Sequence, residues 1–484
     1  MPNLPAQITE LSGVALSAAI QARQVSCVDV LHAYLAQIDA LNPQVNAIVA
    51  LQDRETLLTQ AQRLDLELAQ GRSRGLLHGI PQAPKDILPV QGMVTTRGSP
   101  LFAGQVSEAD AIHFERMRAS GAVFVGRTNS PEFGLGGHTY NPVYGATRNA
   151  WAPTRSAGGS SGGAAVATAL HMLPFADGSD MMGSLRTPAA FNNVFGFRPS
   201  LGAVPYGPAE ELFLQQYSTN GPMARNVPDL ALQMQVMAGA DTRTPLAREW
   251  PTGAFAVDGL QRDFQGARIG WLGDWGGHLA MEPGLLAQQE AALEHFRSLG
   301  AVVEPAVLDF DLEQLWEAWL DVRSLQVAGA NLALYTDPAK RSLLKPEAVW
   351  EIERGMRLSG MRIYEAAKVR SSWYLQLHGL LQRFDYLAMP GTQVYPFAVE
   401  LDWPHMVGER EMDTYHRWME VVIAATMAGL PALAVPAGIS AQGLPAGIQI
   451  VGGLRADWPV LQLGHAYDQA SGYSQLRSPL LQGA

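Results

Sequence analysis

Residues 156–165 read SAGGSSGGAA, and residues 177–190 read DGSDMMGSLRTPAA. The first stretch places four glycines around Ser160 and Ser161, ahead of small apolar residues that favour a helix. Glycine lets a backbone turn sharply and approach a ligand closely. The first stretch therefore predicts a loop that presents serine hydroxyls at the start of a helix.

The Gly/Ser loop alone is compatible with three interpretations. A phosphate-binding loop is disfavoured, because the Gly-Lys-Ser/Thr ending of that motif is absent. Residues 158–162 match the Gly-x-Ser-x-Gly pattern of a nucleophile elbow, but residues 151–156 are polar and contain Pro153, whereas an elbow follows a buried apolar strand. The third interpretation is a tightly packed loop without a chemical role.

Further motifs separate these interpretations. Residues 79–87 read GIPQAPKDI, residues 194–200 read VFGFRPS, and the motif serines 160 and 184 are 24 residues apart. With the two stretches quoted first, this set resembles the amidase signature family of serine hydrolases in order and spacing. Similar segments continue to residues 443–449, so the resemblance covers nearly the whole chain.

The resemblance implies a Ser–cis-Ser–Lys triad. Ser184 matches the nucleophile, Ser160 the bridging serine and Lys85 the base. Such a lysine can accept a proton only if burial lowers its pKa, and Lys85 lies among apolar neighbours in sequence. The adjacent Asp86 could oppose that effect.

The resemblance also implies residues that support the nucleophile. The backbone amides of Met181, Met182, Gly183 and Ser184 are expected to form the oxyanion hole. Supporting roles are expected for three further residues. They are Ser161, Asp180 and Arg186, the last two as a partly buried ion pair.

Met182 departs from the family pattern, which has glycine at this position. We expect its side chain either to restrict the acyl side of the pocket or to fill a gap in the core.

The fold class implied is α/β, with a large mixed β-sheet core flanked by α-helices on both sides. We expect one domain over residues 1–484. Its parts are an N-terminal helical region at 1–75, the signature core at 76–225 and a variable helical region around the substrate pocket at 312–420. The tryptophans of the helical patterns between residues 312 and 420 are expected either to line a substrate entrance or to pack in the core.

Local patterns predict individual elements. A helix is expected to begin after Ser26 and to stop at Asn42-Pro43, and residues 267–303 are expected to form a strand-helix-strand unit. The short apolar segments between residues 77 and 149 are expected to form sheet strands.

Composition excludes several classes of protein. The formal net charge is −11 with no basic run, so neither nucleic acid nor an anionic membrane is an expected partner. The single cysteine, Cys27, excludes an intrachain disulfide and is expected to be a buried thiol. Residues 1–6 show no secretory signal, and residues 421–439, although uncharged, contain prolines typical of core. We therefore expect a cytoplasmic protein.

The function expected is hydrolysis of an amide bond through a serine acyl-enzyme, with a hydrophobic or aryl small molecule as substrate and no metal or organic cofactor. A carbamate or ester hydrolase on the same triad is the alternative. A Ser-His-Asp enzyme, a silent binding protein and a subunit of an amidotransferase are disfavoured. A homodimer is compatible with the sequence.

Overall fold

The structure is a computed structural model that describes residues 7–482. The expectation about residues 1–6 lies outside the described residues. The α-helices are α1 Gly13–Gln21, α2 Cys27–Val45, α3 Arg54–Ala69, α4 Ile112–Ala119, α5 Gly162–Ala169, α6 Arg186–Asn192, α7 Val227–Met237, α8 Leu285–Ala291, α9 Glu294–Ser298, α10 Leu312–Thr336, α11 Pro338–Arg341, α12 Pro346–Met356, α13 Gly360–Leu381, α14 Ile423–Ala428 and α15 Asp457–Ser471.

The strands form one large sheet and several short pairs. They are β1 Ile48–Val49, β2 Pro81–Gln82, β3 Val123–Phe124, β4 Arg127–Thr128, β5 Tyr140–Asn141, β6 Gly145–Ala146, β7 Phe175–Asp180, β8 Phe195–Arg198, β9 Thr219–Ala224, β10 Arg268–Trp271, β11 Val302–Pro305, β12 Tyr386–Pro390, β13 Met406–Val407, β14 Arg410–Glu411, β15 Ala432–Ile439 and β16 Pro445–Val451.

The central sheet has eight strands in the order β11-β10-β12-β16-β15-β8-β9-β7. The strands β11, β10 and β12 are parallel, and each of the remaining pairs is antiparallel. Helices flank this sheet, α6 packing on β15 and β16 and α15 on β15. The expected α/β fold with a large mixed sheet is confirmed. The strand β7, which contains the first four residues of the motif at 177–190, lies at one edge of this sheet.

The prediction for residues 77–149 is wrong in one respect. Their short apolar segments do not join the large sheet but form two-stranded pairs, β2 with β3 and β1 with β4. Each of these strands is two residues long, and the helices α2, α3 and α5 pack against β2, β3 and β4 respectively.

Local sequence rules account for most of the helix positions. The hydroxyl of Ser26 accepts from the Asp29 N–H, and the Asp29 carboxylate accepts from the Ser26 N–H, which is a complete capping box for α2. The same helix continues through Pro43 to Val45, contrary to the predicted stop, and its C-cap residue Asn46 has φ +54°. A proline two residues from the helix end removes only one backbone hydrogen bond of the last turns, so the last turn survives. The strand-helix-strand unit at residues 267–303 is confirmed, with its helix divided into α8 and α9.

Two large apolar clusters make up most of the core. The first joins the N-terminal helices to the sheet and includes the fully buried Cys27. The second is built from α10, α13, α14 and the strand β12, and it contains Trp316, Trp319, Trp373 and Trp418. These four tryptophans are core residues, while Trp350 is partly exposed.

Residues 421–439, uncharged throughout, form α14 and β15 inside the globule. Between residues 7 and 482, no helix combines the length and the apolar character needed to cross a lipid bilayer.

Candidate active site

Lys85 lies three residues after the end of β2, and both its backbone N–H and its carbonyl are hydrogen-bonded. Its N–H lies 3.3 Å from both carboxylate oxygens of Asp177, and its carbonyl accepts from Nη2 of Arg127 at 2.8 Å. The residue is 2% exposed. Its carboxylate neighbour Asp86 turns away and accepts from Thr96. The sequence neighbour of Lys85 therefore does not contact the amine.

Three serine hydroxyls surround the Lys85 amine. Its Nζ lies 2.7 Å from Oγ of Ser160, 2.8 Å from Oγ of Ser161 and 3.1 Å from Oγ of Ser179. Sequence reasoning paired Lys85 with Ser160 but missed Ser179. The available signal was that Ser179 belongs to the motif at 177–190, two residues after Asp177. The amine thus has hydroxyl partners on both the serine loop and the strand.

Burial dominates the protonation of Lys85. It lowers the pKa of this amine from its ordinary value to about 7, against the opposing charges of Asp177 and Asp180. A substantial fraction of the amine is therefore neutral near pH 7, and a neutral amine can accept a proton.

The Gly/Ser loop precedes α5, and its Gly159–Ser160 peptide bond is cis. Glycine is required at Gly178 on the facing strand, because a Cβ there would lie 2.7 Å from Oγ of Ser161. The strand and the serine loop are thus in direct contact.

His138 is the histidine that lies beside this loop. Its Nδ1 is 2.7 Å from Oγ of Ser156, and its Nε2 is 3.0 Å from the carbonyl oxygen of Val399. A carbonyl only accepts, so Nε2 carries the proton and Nδ1 accepts from Ser156. The pair contains Ser156 rather than Ser160 or Ser161, and both partners are buried. This geometry gives no support to a Ser-His-Asp site.

Ser184 lies in the turn between β7 and α6. The Ser161 N–H donates to the Ser184 carbonyl at 3.2 Å, which joins this turn, called the Ser184 turn below, to the Gly/Ser loop. Gly183 has φ +76°, a conformation that glycine adopts without strain. Ser184 is 8% exposed, and within residues 7–482 its hydroxyl makes no hydrogen bond, including none to Ser160. Catalytic hydrogen bonds often form fully only when substrate is bound.

The four amides of the predicted oxyanion hole differ in availability. The Gly183 N–H donates to Oδ1 of Asp180 at 2.9 Å, so this amide is already occupied. In the part of the chain that the structure describes, the N–H groups of Met181, Met182 and Ser184 have no acceptor. Of the four predicted amides, these three are free to donate to a substrate oxygen.

Asp180 anchors the Ser184 turn through buried guanidinium groups. Arg186 donates to both of its oxygens at 2.9 and 3.0 Å, and Arg198 lies 3.2 Å from Oδ1. Burial alone would raise the pKa of Asp180, but the two guanidinium groups outweigh it and hold that pKa below its ordinary value. The expected ion pair of Asp180 and Arg186 is present and fully buried. Arg198 also pairs with Asp180, a contact that the sequence did not reveal.

Met182 is 3% exposed and belongs to the second apolar cluster, so its side chain packs in the core. Its φ is not positive, so the turn does not demand glycine here. Met181 is partly exposed, and its sulfur lies 3.9 Å from Nη1 of Arg323. Within residues 7–482 no group of three or more His, Cys, Asp or Glu side chains is arranged to hold a metal ion.

A family model described as Amidase matches residues 29–461. The chain belongs to the amidase family. The match confirms the resemblance to amidase signature enzymes and the expectation of an amidase-type hydrolase.

Two of the curated relatives of this amidase differ in their described activities. An acylamidase of Rhodococcus erythropolis is 32% identical over 93% of this chain and 94% of its own. One subunit of the glutamyl-tRNA(Gln) amidotransferase of Nitrosospira multiformis is 31% identical over 94% of this chain and 96% of its own. Among solved structures, a bacterial aryl acylamidase of the amidase signature family has a TM-score of 0.90 and 28% identity, covering 96% of this chain and 97% of its own.

Proposed function

We propose that this amidase hydrolyses the amide bond of a hydrophobic or aryl small molecule through an acyl-enzyme on Ser184. The observation that carries the proposal is the buried Lys85 amine in contact with the Ser160 hydroxyl, beside the turn that holds Ser184. Among residues 7–482, Lys85 is the base in contact with Ser160, whereas His138 is engaged with Ser156. The name of the aryl acylamidase structure supports the substrate class.

The proposed reaction begins with two proton transfers. Neutral Lys85 accepts the proton of Ser160, and Ser160 accepts that of Ser184 as its oxygen attacks the substrate carbonyl. The N–H groups of Met181, Met182 and Ser184 donate to the oxygen that becomes negative. The proton returns through Ser160 to the leaving amine, and water then hydrolyses the acyl-serine by the same path.

A carbamate or ester hydrolase remains the second candidate, because the same serine attacks any acyl carbonyl. A screen of aryl amides, carbamates and esters with matched acyl groups decides between these classes. Glutamine belongs in the same screen, because relatives near 31% identity carry the amidotransferase name.

The role of Lys85 is tested with Lys85→Ala and matched amide and ester substrates. We expect the amide-to-ester ratio of kcat/KM to fall at least tenfold, because an amine must be protonated as it leaves whereas a phenoxide need not be. Lys368→Ala, which removes an exposed amine from α13, is the control. An unchanged ratio would mean that another group supplies the proton.

The pH dependence of the wild-type enzyme has a defined direction. Because Lys85 must be neutral and its pKa is about 7, kcat/KM for an amide should fall as the pH drops below about 7. Lys85→Ala should lack this acid limb. Persistence of the limb in Lys85→Ala would assign it to another residue.

A further inference from the structure

Asp177 is a buried carboxylate that no step of the proposed reaction uses. It lies on β7, two residues before Ser179, and is 2% exposed. Both of its oxygens lie 3.3 Å from the Lys85 backbone nitrogen, and no other residue between 7 and 482 donates to it. One N–H shared at that distance compensates poorly for the burial of a charge.

The other charges near Lys85 are already balanced. Asp180, also on β7, is held by Arg186 and Arg198. Asp86, next in sequence to Lys85, accepts from Thr96 and lies 3.7 Å from Arg127. Arg127, on β4, donates to the Lys85 carbonyl, and the Gly/Ser loop contributes hydroxyls but no charge. Asp177 is thus the acid at this site with no guanidinium in contact.

We propose that Asp177 is a positioning residue that fixes the Lys85 backbone and sets the proton affinity of its amine. The proposal rests on the proposed role of Lys85 as the base. The carboxylate holds the backbone N–H, while its negative charge favours the ammonium form of the same residue.

The two groups titrate in the same range. Burial raises the pKa of Asp177 to about 6, and burial lowers the pKa of Lys85 to about 7. Protonation of either group changes the field at the other, so the acid limb of activity belongs to the pair.

The test is the pH profile of Asp177→Asn, which keeps the size and an acceptor oxygen but removes the charge. The ammonium form of Lys85 then loses a stabilising charge, so we expect the acid limb of kcat/KM to move about one pH unit lower. Well below the wild-type midpoint, activity relative to its plateau should rise up to about tenfold. Asp177→Glu should return the limb towards its original position.

Asp229→Asn is the matched control, because Asp229 is also buried and accepts two backbone N–H groups, from Gly13 and Val14. Its acid limb should coincide with that of the wild type. A limb that stays in place in Asp177→Asn, while Lys85→Ala removes it, would overturn this inference and leave the proposed function intact. A limb that persists in Lys85→Ala would overturn both.

A second measurement decides the matter if Asp177→Asn does not fold. The chain has four lysines, so the Lys85 side chain can be followed by NMR in wild-type protein labelled at the lysine ε carbon and assigned with Lys85→Ala. Coupling to Asp177 predicts two inflections in its titration. A single inflection would overturn the proposal.

Discussion

At the scale of single residues, the site depends on what surrounds one amine. The Lys85 amine has three hydroxyl partners and almost no contact with solvent. Burial lowers the pKa of this amine, so that it can accept a proton near neutral pH. The motifs identified Lys85, Ser160 and Ser184. The motifs did not reveal Ser179 or Asp177 as neighbours of Lys85, because these contacts join residues more than 90 positions apart.

The variant Met182→Ala tests whether the methionine at the family's glycine position stabilises the core. Met182→Ala removes a buried side chain from the second apolar cluster, so the free energy of unfolding should fall by about 2–5 kcal/mol, measured by urea denaturation. The control is Met356→Ala on α12, where the side chain is 56% exposed and the change should stay within about 0.5 kcal/mol. Unchanged stability in Met182→Ala, with broader acyl acceptance, would instead place the side chain in the substrate pocket.

At the scale of elements, the turn between β7 and α6 is held by charge as well as by packing. Asp180 accepts from the Gly183 and Leu185 N–H groups and from Arg186, so it ties the Ser184 turn to the start of α6. These contacts hold the backbone on both sides of Ser184.

Asp180→Asn should destabilise the protein strongly, because Arg186 and Arg198 would share a buried site without a counter-charge. We expect the free energy of unfolding at pH 7 to fall by about 3–5 kcal/mol. Since the folded-state pKa of Asp180 is below its ordinary value, the stabilisation is present at neutral pH and is lost as the pH falls through that lowered pKa. Asp39→Asn, at an exposed pair with Arg54, should change stability by less than about 1 kcal/mol. A comparable loss in both variants would show that the buried ion network stabilises the fold no more than the exposed pair does.

Local patterns predicted the elements better than their arrangement. The capping box at Ser26 and the strand-helix-strand unit at 267–303 depend on neighbouring residues and were predictable. The eight-strand order was not, because it places strands far apart in sequence side by side, for example β12 beside β16. The segments at 77–149 were assigned to the sheet because short apolar runs do not reveal their partners.

At the scale of the whole molecule, the helices α10 and α12 are fastened to each other and to the segment around Tyr415 by buried polar contacts. Nε of Arg323 donates to Glu351 at 2.6 Å, and the Tyr415 hydroxyl donates to the same carboxylate oxygen at 2.8 Å. Arg323 also contacts the sulfur of Met181, so this cluster links the helical region to the Ser184 turn.

Glu351→Ala should therefore destabilise the whole molecule, because it leaves the Arg323 guanidinium buried without a counter-charge. The expected loss is about 3–5 kcal/mol in the free energy of unfolding. Glu353→Ala, on the same helix but in a surface pair with Arg341, should cost less than about 1 kcal/mol. Thermal or urea unfolding of the two variants side by side provides the comparison, and equal losses would contradict the role given to the buried cluster.

The central claim is that Ser184 is the nucleophile, and covalent labelling tests it most directly. The protein is treated with an aryl phosphonofluoridate, digested and mapped by mass spectrometry. The account predicts one stoichiometric adduct on Ser184, with no labelling in a Ser184→Ala variant that keeps its wild-type melting temperature. An adduct on Ser156, Ser160 or Ser161, or labelling that persists in folded Ser184→Ala, would contradict the account.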